Sequence, residues 1–409
     1  MSENITTTEK KRIRIPLLLQ ILIAICLGIG CGYFFPVGFG RIFATFNAIF
    51  SQFLGFLIPL IILGFITPAI ADIGKKAGFV LLVTAALAYL DTIFAGFISF
   101  FTGDALFPYF ISPGALASTP EGHDLTPYFT IEMPPLMTVM TGLVLAFLLG
   151  IGMAAIQSKS LKVIADEFRD IITLSIARVI IPLLPLYIFG IFLNMTVAGQ
   201  VGPVLGTFAK IIVIIFILTF LLLVFQFCIA ALFNKKNPLK MLMTMMPAYF
   251  TALGTQSSAA TIPVTLRQTM RLGVSEDIAG FTIPLCATIH MSGSTLKIVA
   301  CAVALMLMQD LPYDFPMFAG FICMLGITIV AAPGVPGGCI MASLGLLGGI
   351  LGFNEANQAL MIALYIAMDS FGTACNITGD GYISVIIDHF FGSERRTADS
   401  DPVSRTLSE

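Results

Sequence analysis

Apolar runs of bilayer length recur from residue 15 to residue 391, and they decide the fold class before anything else is read. A hydrocarbon core takes about 20 apolar residues per helix, so each such run reads as a transmembrane helix. The chain of 409 residues is 57% hydrophobic and 11% charged, whereas a soluble domain carries roughly a quarter charged residues. Mean hydropathy is +0.98. The expectation is an all-α polytopic membrane protein. A net charge of -2 carries no signal for nucleic acid. The eight cysteines are scattered through apolar segments without a CxxC pair, so they read as small packing residues rather than disulfides or zinc ligands. Trp is absent, which leaves Tyr and Phe as interfacial anchors in the membrane lipid.

Six spans are expected over 15–35, 42–71, 79–101, up to 156, 171–195 and 208–233. The second is longer than a bilayer needs and is expected to tilt or bend, with Pro59 and Pro68 as kink candidates. Gly28 and Gly32 would let another helix approach the first span closely. Basic groups follow every second span: Lys75 and Lys76, then Lys159, Lys162 and Arg169, then Lys235, Lys236 and Lys240. The basic tail 1–14 precedes the first span, and the polar interruption 102–135 holds Asp104, Glu121, His123, Asp124 and Glu132 without Lys or Arg. By the positive-inside rule the ends of this half are cytoplasmic, with Arg41 and Lys210 as exceptions. No signal peptide is expected, because the first apolar run leads into further spans. The location expected is a cell inner membrane, crossed several times, with both termini cytoplasmic.

The second half reads differently. Segments 241–271 and 316–352 are hydrophobic but broken at their centres, at Gly254–Ala260 and at Pro333–Gly338. Their halves are too short to cross at 1.5 Å per residue, so they read as re-entrant hairpins whose tip backbone needs a cavity or ligand. Full-length helices are expected after each, over 278–308 and 359–391. Hairpin–helix, hairpin–helix is an inverted repeat, the sequence pointer to a transporter site. The resulting division is 1–14 tail, 15–240 six-span half, 241–391 transport core and 392–409 cytoplasmic tail.

Within the last helix, Asp369, Thr373, Asn376 and Asp380 fall at i, i+4, i+7 and i+11 and form one polar stripe. A carboxylate deep in a bilayer costs several kcal/mol unless paired, solvated or holding an ion. With Gly372 and Gly379 clearing space, the stripe reads as a buried site for a cation and a polar ligand. The plainer reading is a helix end with Asp380 among lipid headgroups, against which apolar residues continue to Phe391.

Three segments of this half resemble the dicarboxylate/amino acid:cation symporters, which include glutamate and neutral amino acid transporters. They are Ser257-Ser258-Ala259-Ala260-Thr261-Ile262-Pro263-Val264-Thr265, Gly334-Val335-Pro336-Gly337-Gly338 and Asn376-Ile377-Thr378-Gly379-Asp380. The first half is similar in span count and charge layout more than in motif. The resemblance implies eight transmembrane helices plus two re-entrant hairpins, a core that moves as an elevator, and a homotrimer. It implies sodium as coupling ion and no other cofactor. The Asn376 carbonyl and Asp380 would hold sodium, Asp369 the substrate amine, and Thr373 would line the side-chain pocket. Asn376, Ser257, Ser258 and the second tip, with Val335 and Gly338, would take the carboxylate. The segment with Tyr89 and Thr92 resembles a further sodium site, and His290 is a further candidate ion ligand.

Three departures from the family pattern bear on specificity. Gly372 and Gln256 stand where members taking acidic substrates place an Arg. Without either cation a second carboxylate is uncompensated, at several kcal/mol, so the expected substrate is a small neutral amino acid such as Ser, Thr or Ala. His290-Met291-Ser292-Gly293-Ser294 replaces the family's N-M-D-G-T, and Lys297 stands where an aromatic is usual. Lys297 is therefore a candidate fixed cation in place of a sodium, paired with Asp91, and His290 a candidate proton carrier. The plainer reading of Lys297 is a snorkelling or structural lysine. The runner-up function is a sodium- or proton-coupled carrier of C4-dicarboxylates or acidic amino acids. An enzyme is not expected, since neither GxSxG nor HExxH occurs. A channel would show ohmic current without coupled uptake.

Overall fold

The computed structural model describes residues 17–75, 79–114, 125–199, 201–330, 332 and 337–399. The tail 1–14, Lys76, the segment with Glu121, His123 and Asp124, the tip residues 333–336 including Val335, and positions 400–409 lie outside the described residues. Every described element is a helix. The first half comprises α1 (Leu17–Phe34), α2 (Val37–Lys75), α3 (Phe79–Phe110), α4 (Val139–Ile156) and α5 (Lys159–Ser175). A π-turn (Ile176–Ile180) leads into α6 (Ile181–Val197), followed by α7 (Val201–Asn234). Pro182 and Pro185 remove two backbone donors just beyond that turn, which suits a π-bulge there. Pro59 and Pro68 lie inside α2 without ending it.

The small residues of α1 act as expected, and α6 is the helix they admit. A Cβ at Gly28 would stand 2.6 Å from the Phe189 carbonyl oxygen, and one at Gly32 would strike the Thr196 side chain. In lipid, where tails are as apolar as Leu, such backbone contact is what holds two helices together.

Both broken segments fold back as hairpins. The first is α8 (Pro238–Thr255) and α9 (Ser258–Arg271). Gln256 turns the chain at φ 53, and Ser257 caps α9 by accepting from the Ala260 amide. The second is α12 (Phe315–Val330) and α13 (Gly338–Gly349), with Gly337 at φ 76, a conformation that favours glycine.

The two helices expected to be continuous are each in two pieces. The first is α10 (Glu276–Ile289) and α11 (Ser292–Gln309), interrupted by extended His290 and by Met291. The second is α14 (Glu355–Ala367) and α15 (Asp369–Asp399), bent by 61° at Met368. Helix period alone carries no mark of these breaks, because the freed backbone groups are satisfied from other helices. Asn376 Oδ1 accepts from the Gly293 and Ser294 amides at 2.8 and 3.3 Å, Thr92 Oγ1 accepts from the Met291 amide, and Lys297 Nζ donates to the Met368 carbonyl. α15 also runs past 391, as far as Asp399.

Among the described residues, six helices are long and apolar enough to cross a membrane, or seven if the bent pair counts as one span, against the eight expected. α11 is the axis of the second half, with every residue from Ser292 to Met306 buried.

Candidate functional site

A cavity of about 150 Å³ lies where the hairpins meet the last helix. Gln256, Ser258 and Ala259 of the first tip border it, as do Gly338 and Cys339 at the start of α13. Asp369, Thr373 and Asn376 come from α15, Tyr365 from α14, and Met291 and Ser294 from the break before and in α11. The N-termini of α9 and α13 thus both reach one chamber. Helix N-termini carry unpaired N–H groups and favour anions. A larger cavity of about 430 Å³ opens between α2, α6 and the start of α14, lined by Asn47, Ser51, Tyr187, Glu355 and Asn357 among others. It has neither the N-termini of α9 and α13 nor the acids of α15, so size does not choose the site.

Asp369 opens α15 and is mostly buried. Its Oδ2 accepts from the Gly337 amide at 2.8 Å, tying the second hairpin to the last helix. Its Oδ1 lies 3.9 Å from Lys297 Nζ. The Thr373 hydroxyl donates to the Asp369 carbonyl. Asn376 lines the cavity, yet its amide is already engaged: beyond the two N–H groups of α11, Nδ2 donates to Ser294 Oγ at 3.1 Å. Tyr365 donates to the same hydroxyl. Ser258 borders the cavity, whereas the Ser257 side chain is spent on the α9 cap. Gly372 is turned toward Lys297, where a Cβ would collide with its Nζ and Cε.

Residues 17–390 match the family described as "Sodium:dicarboxylate symporter family". The chain belongs to that family. It is also 30% identical over 168 residues to excitatory amino acid transporter 2 of Homo sapiens, a stretch covering 41% of this chain and 29% of that relative. The match therefore spans under a third of the relative's length. Among the described residues, the apolar helices of this family member are those of a multi-pass membrane protein.

In this family member a second buried cluster lies beside the cavity. His290 Nε2 is 2.7 Å from Asp91 Oδ2 and its Nδ1 is 3.0 Å from Asp380 Oδ1. Gln226 Nε2 donates to the same Asp91 oxygen at 2.7 Å and to Ser292 Oγ at 3.2 Å. Among the described residues, Asp380 Oδ2 and Gln226 Oε1 are buried without a hydrogen-bond partner, the kind of orphaned acceptor a cation satisfies.

The expected pairing of Asp91 with Lys297 is therefore overturned: Asp91 pairs with His290, and Lys297 with Asp369. The register of α3 along α11 is the cause. Thr92 meets Met291 and Ser99 meets Leu296, so Asp91 is level with the break. Lys297 sits seven residues beyond His290, roughly 10 Å at helical rise. The expected sodium ligands are only partly gathered. His290 and Asp380 touch and Thr92 sits at the same break, whereas the Tyr89 hydroxyl donates to the Cys323 carbonyl of α12. Gln226 and Tyr365 are two polar groups of this core that the sequence motifs do not mark. A lone amide inside the most apolar span was the available signal for Gln226. Tyr365 had none, since an aromatic in an apolar helix reads as packing.

Proposed function

We propose that this family member couples sodium entry to uptake of a small neutral amino acid, Ser, Thr or Ala in type, by alternating access. The observation that carries the reading is the chamber shared by two helix N-termini and the Asp369 carboxylate. Helix N-termini suit a carboxylate, and a carboxylate suits an ammonium. Those are the two charged ends of a zwitterion. Asp380 Oδ2, orphaned in the core, supplies a hard anionic oxygen for sodium. The transport core 241–391 would move as an elevator against the rest, in a homotrimer in a cell inner membrane with both termini cytoplasmic.

A second reading, a carrier of C4-dicarboxylates or acidic amino acids, draws on one specific feature. Lys297 brings a cation to within 3.9 Å of Asp369 Oδ1, which softens the repulsion of a second substrate carboxylate. The names of the family and of the human relative point the same way.

The test is uptake into proteoliposomes of a panel of amino acids and dicarboxylates, with sodium and pH gradients imposed separately. Saturable, sodium-driven serine or alanine uptake supports the first reading. Aspartate or succinate uptake far exceeding serine overturns it in favour of the second.

A further inference from the structure

A carboxylate that binds a substrate's ammonium must also cross the membrane when no substrate is aboard. An uncompensated buried charge costs several kcal/mol, so an alternating-access carrier needs something to neutralise Asp369 on the unloaded leg. The fold holds one side chain placed for this. Lys297 is 1% exposed, on the buried helix α11, and its Nζ approaches Asp369 Oδ1 to 3.9 Å.

Three further features, gathered at the bend between α14 and α15, hold that ammonium where it is. The Met368 carbonyl at the broken end of α14 accepts from it at 3.0 Å, and a helix C-terminus favours a cation. The Tyr365 ring lies beneath it with 4.2 Å to the centroid, a cation–π distance. Gly372 leaves the space it fills, since any Cβ there would strike Nζ and Cε. A snorkelling lysine would reach toward an interface; this one is held by groups that are themselves buried.

We infer that Lys297 is the tethered counter-ion that neutralises Asp369 on the unloaded leg, standing in for the ammonium of the substrate. A charge-assisted hydrogen bond is about 2.7–2.9 Å, so the 3.9 Å approach neutralises charge without tying up the Oδ1 lone pairs. An arriving substrate ammonium takes Oδ1, and Lys297 keeps the Met368 carbonyl and the Tyr365 ring. Oδ2 meanwhile stays on the Gly337 amide, so the second hairpin remains docked on the same carboxylate. The role acts through Asp369 and is a positioning role. It rests on the proposed amino acid symport.

The experiment compares two modes of transport of radiolabelled serine by the full chain in proteoliposomes. Net uptake into vesicles without internal serine requires the unloaded core to return. Exchange against internal serine does not. Lys297→Met is expected to lower the ratio of net uptake to exchange at least tenfold, and Lys297→Arg to keep it within about threefold of wild type. Gly372→Ala, which pushes the ammonium off its seat without removing it, is expected to lower the ratio as well and serves where Lys297→Met does not give a monodisperse protein. A wild-type ratio in Lys297→Met or in Gly372→Ala overturns the inference while leaving serine symport standing. If the wild type moves serine in neither mode, the amino acid reading falls and takes the inference with it.

Discussion

His290 joins Asp91 of α3 to Asp380 of α15 through its two ring nitrogens, at 2.7 and 3.0 Å, with all three side chains buried. A carboxylate on each side makes the ring the electrostatic keystone of the core, because removing it leaves two buried acids facing each other. Taking one partner out of a buried pair costs about 3–5 kcal/mol. His290→Leu is expected to lower the thermal unfolding temperature of the purified protein by several degrees and to abolish uptake. An unchanged unfolding temperature would show that Gln226 alone suffices to hold Asp91.

Asp380→Asn keeps an oxygen for His290 but removes the charge on the orphaned Oδ2. If that oxygen is a sodium ligand, half-saturating sodium should rise by about tenfold or more, since ligand charge sets the affinity of oxygen sites for hard cations. Sodium titration of uptake at fixed substrate measures this. Equal sodium dependence in the variant and the wild type would remove Asp380 from the ion site.

Asp369→Asn preserves an acceptor for the Gly337 amide while removing the charge that an ammonium needs. A hydrogen bond to a charged group contributes about 1.5–3 kcal/mol, so apparent serine affinity should fall by about tenfold or more. Succinate, which has no amine, should not weaken in parallel. Loss of both to the same degree would mean that Asp369 acts only through the hairpin.

Gly372 and Lys297 are sterically complementary, and a double-substitution cycle reads that directly. Gly372→Arg alone is expected to unfold or inactivate the protein, because its side chain would start inside the space of Lys297. Adding Lys297→Met should restore folding and favour acidic over neutral substrates, with a coupling of about 0.5–3 kcal/mol in thermal stability. Additive effects would contradict the contact.

Gly28→Val tests the α1–α6 seam. Its Cβ would meet the Phe189 carbonyl oxygen at 2.6 Å, and a backbone atom cannot swing aside. Overpacking costs about 1–3 kcal/mol, so thermal stability should drop, while Gly30→Val, with open space around it, should leave it within about 0.5 kcal/mol.

The helical class, the two fold-back segments and the polar stripe from Asp369 to Asp380 were all readable in residue order. Each is a local property. A bilayer demands apolar length, a hairpin tip demands small residues, and a stripe is arithmetic on a 3.6-residue period. The breaks at His290 and Met368 were not readable, because a helix can stop in hydrocarbon only where distant groups take up its freed backbone. Here those groups are Thr92, Asn376 and Lys297. The pairing of charges was beyond residue order as well. Charge alone pairs Asp91 with Lys297, and the register of α3 on α11 gives it to His290 instead. Sequence by itself determined which segments are helical and which acids share a face; tertiary packing decided which cation each acid meets, since a buried charge answers to its nearest partner across a helix interface and not to its neighbours along the chain.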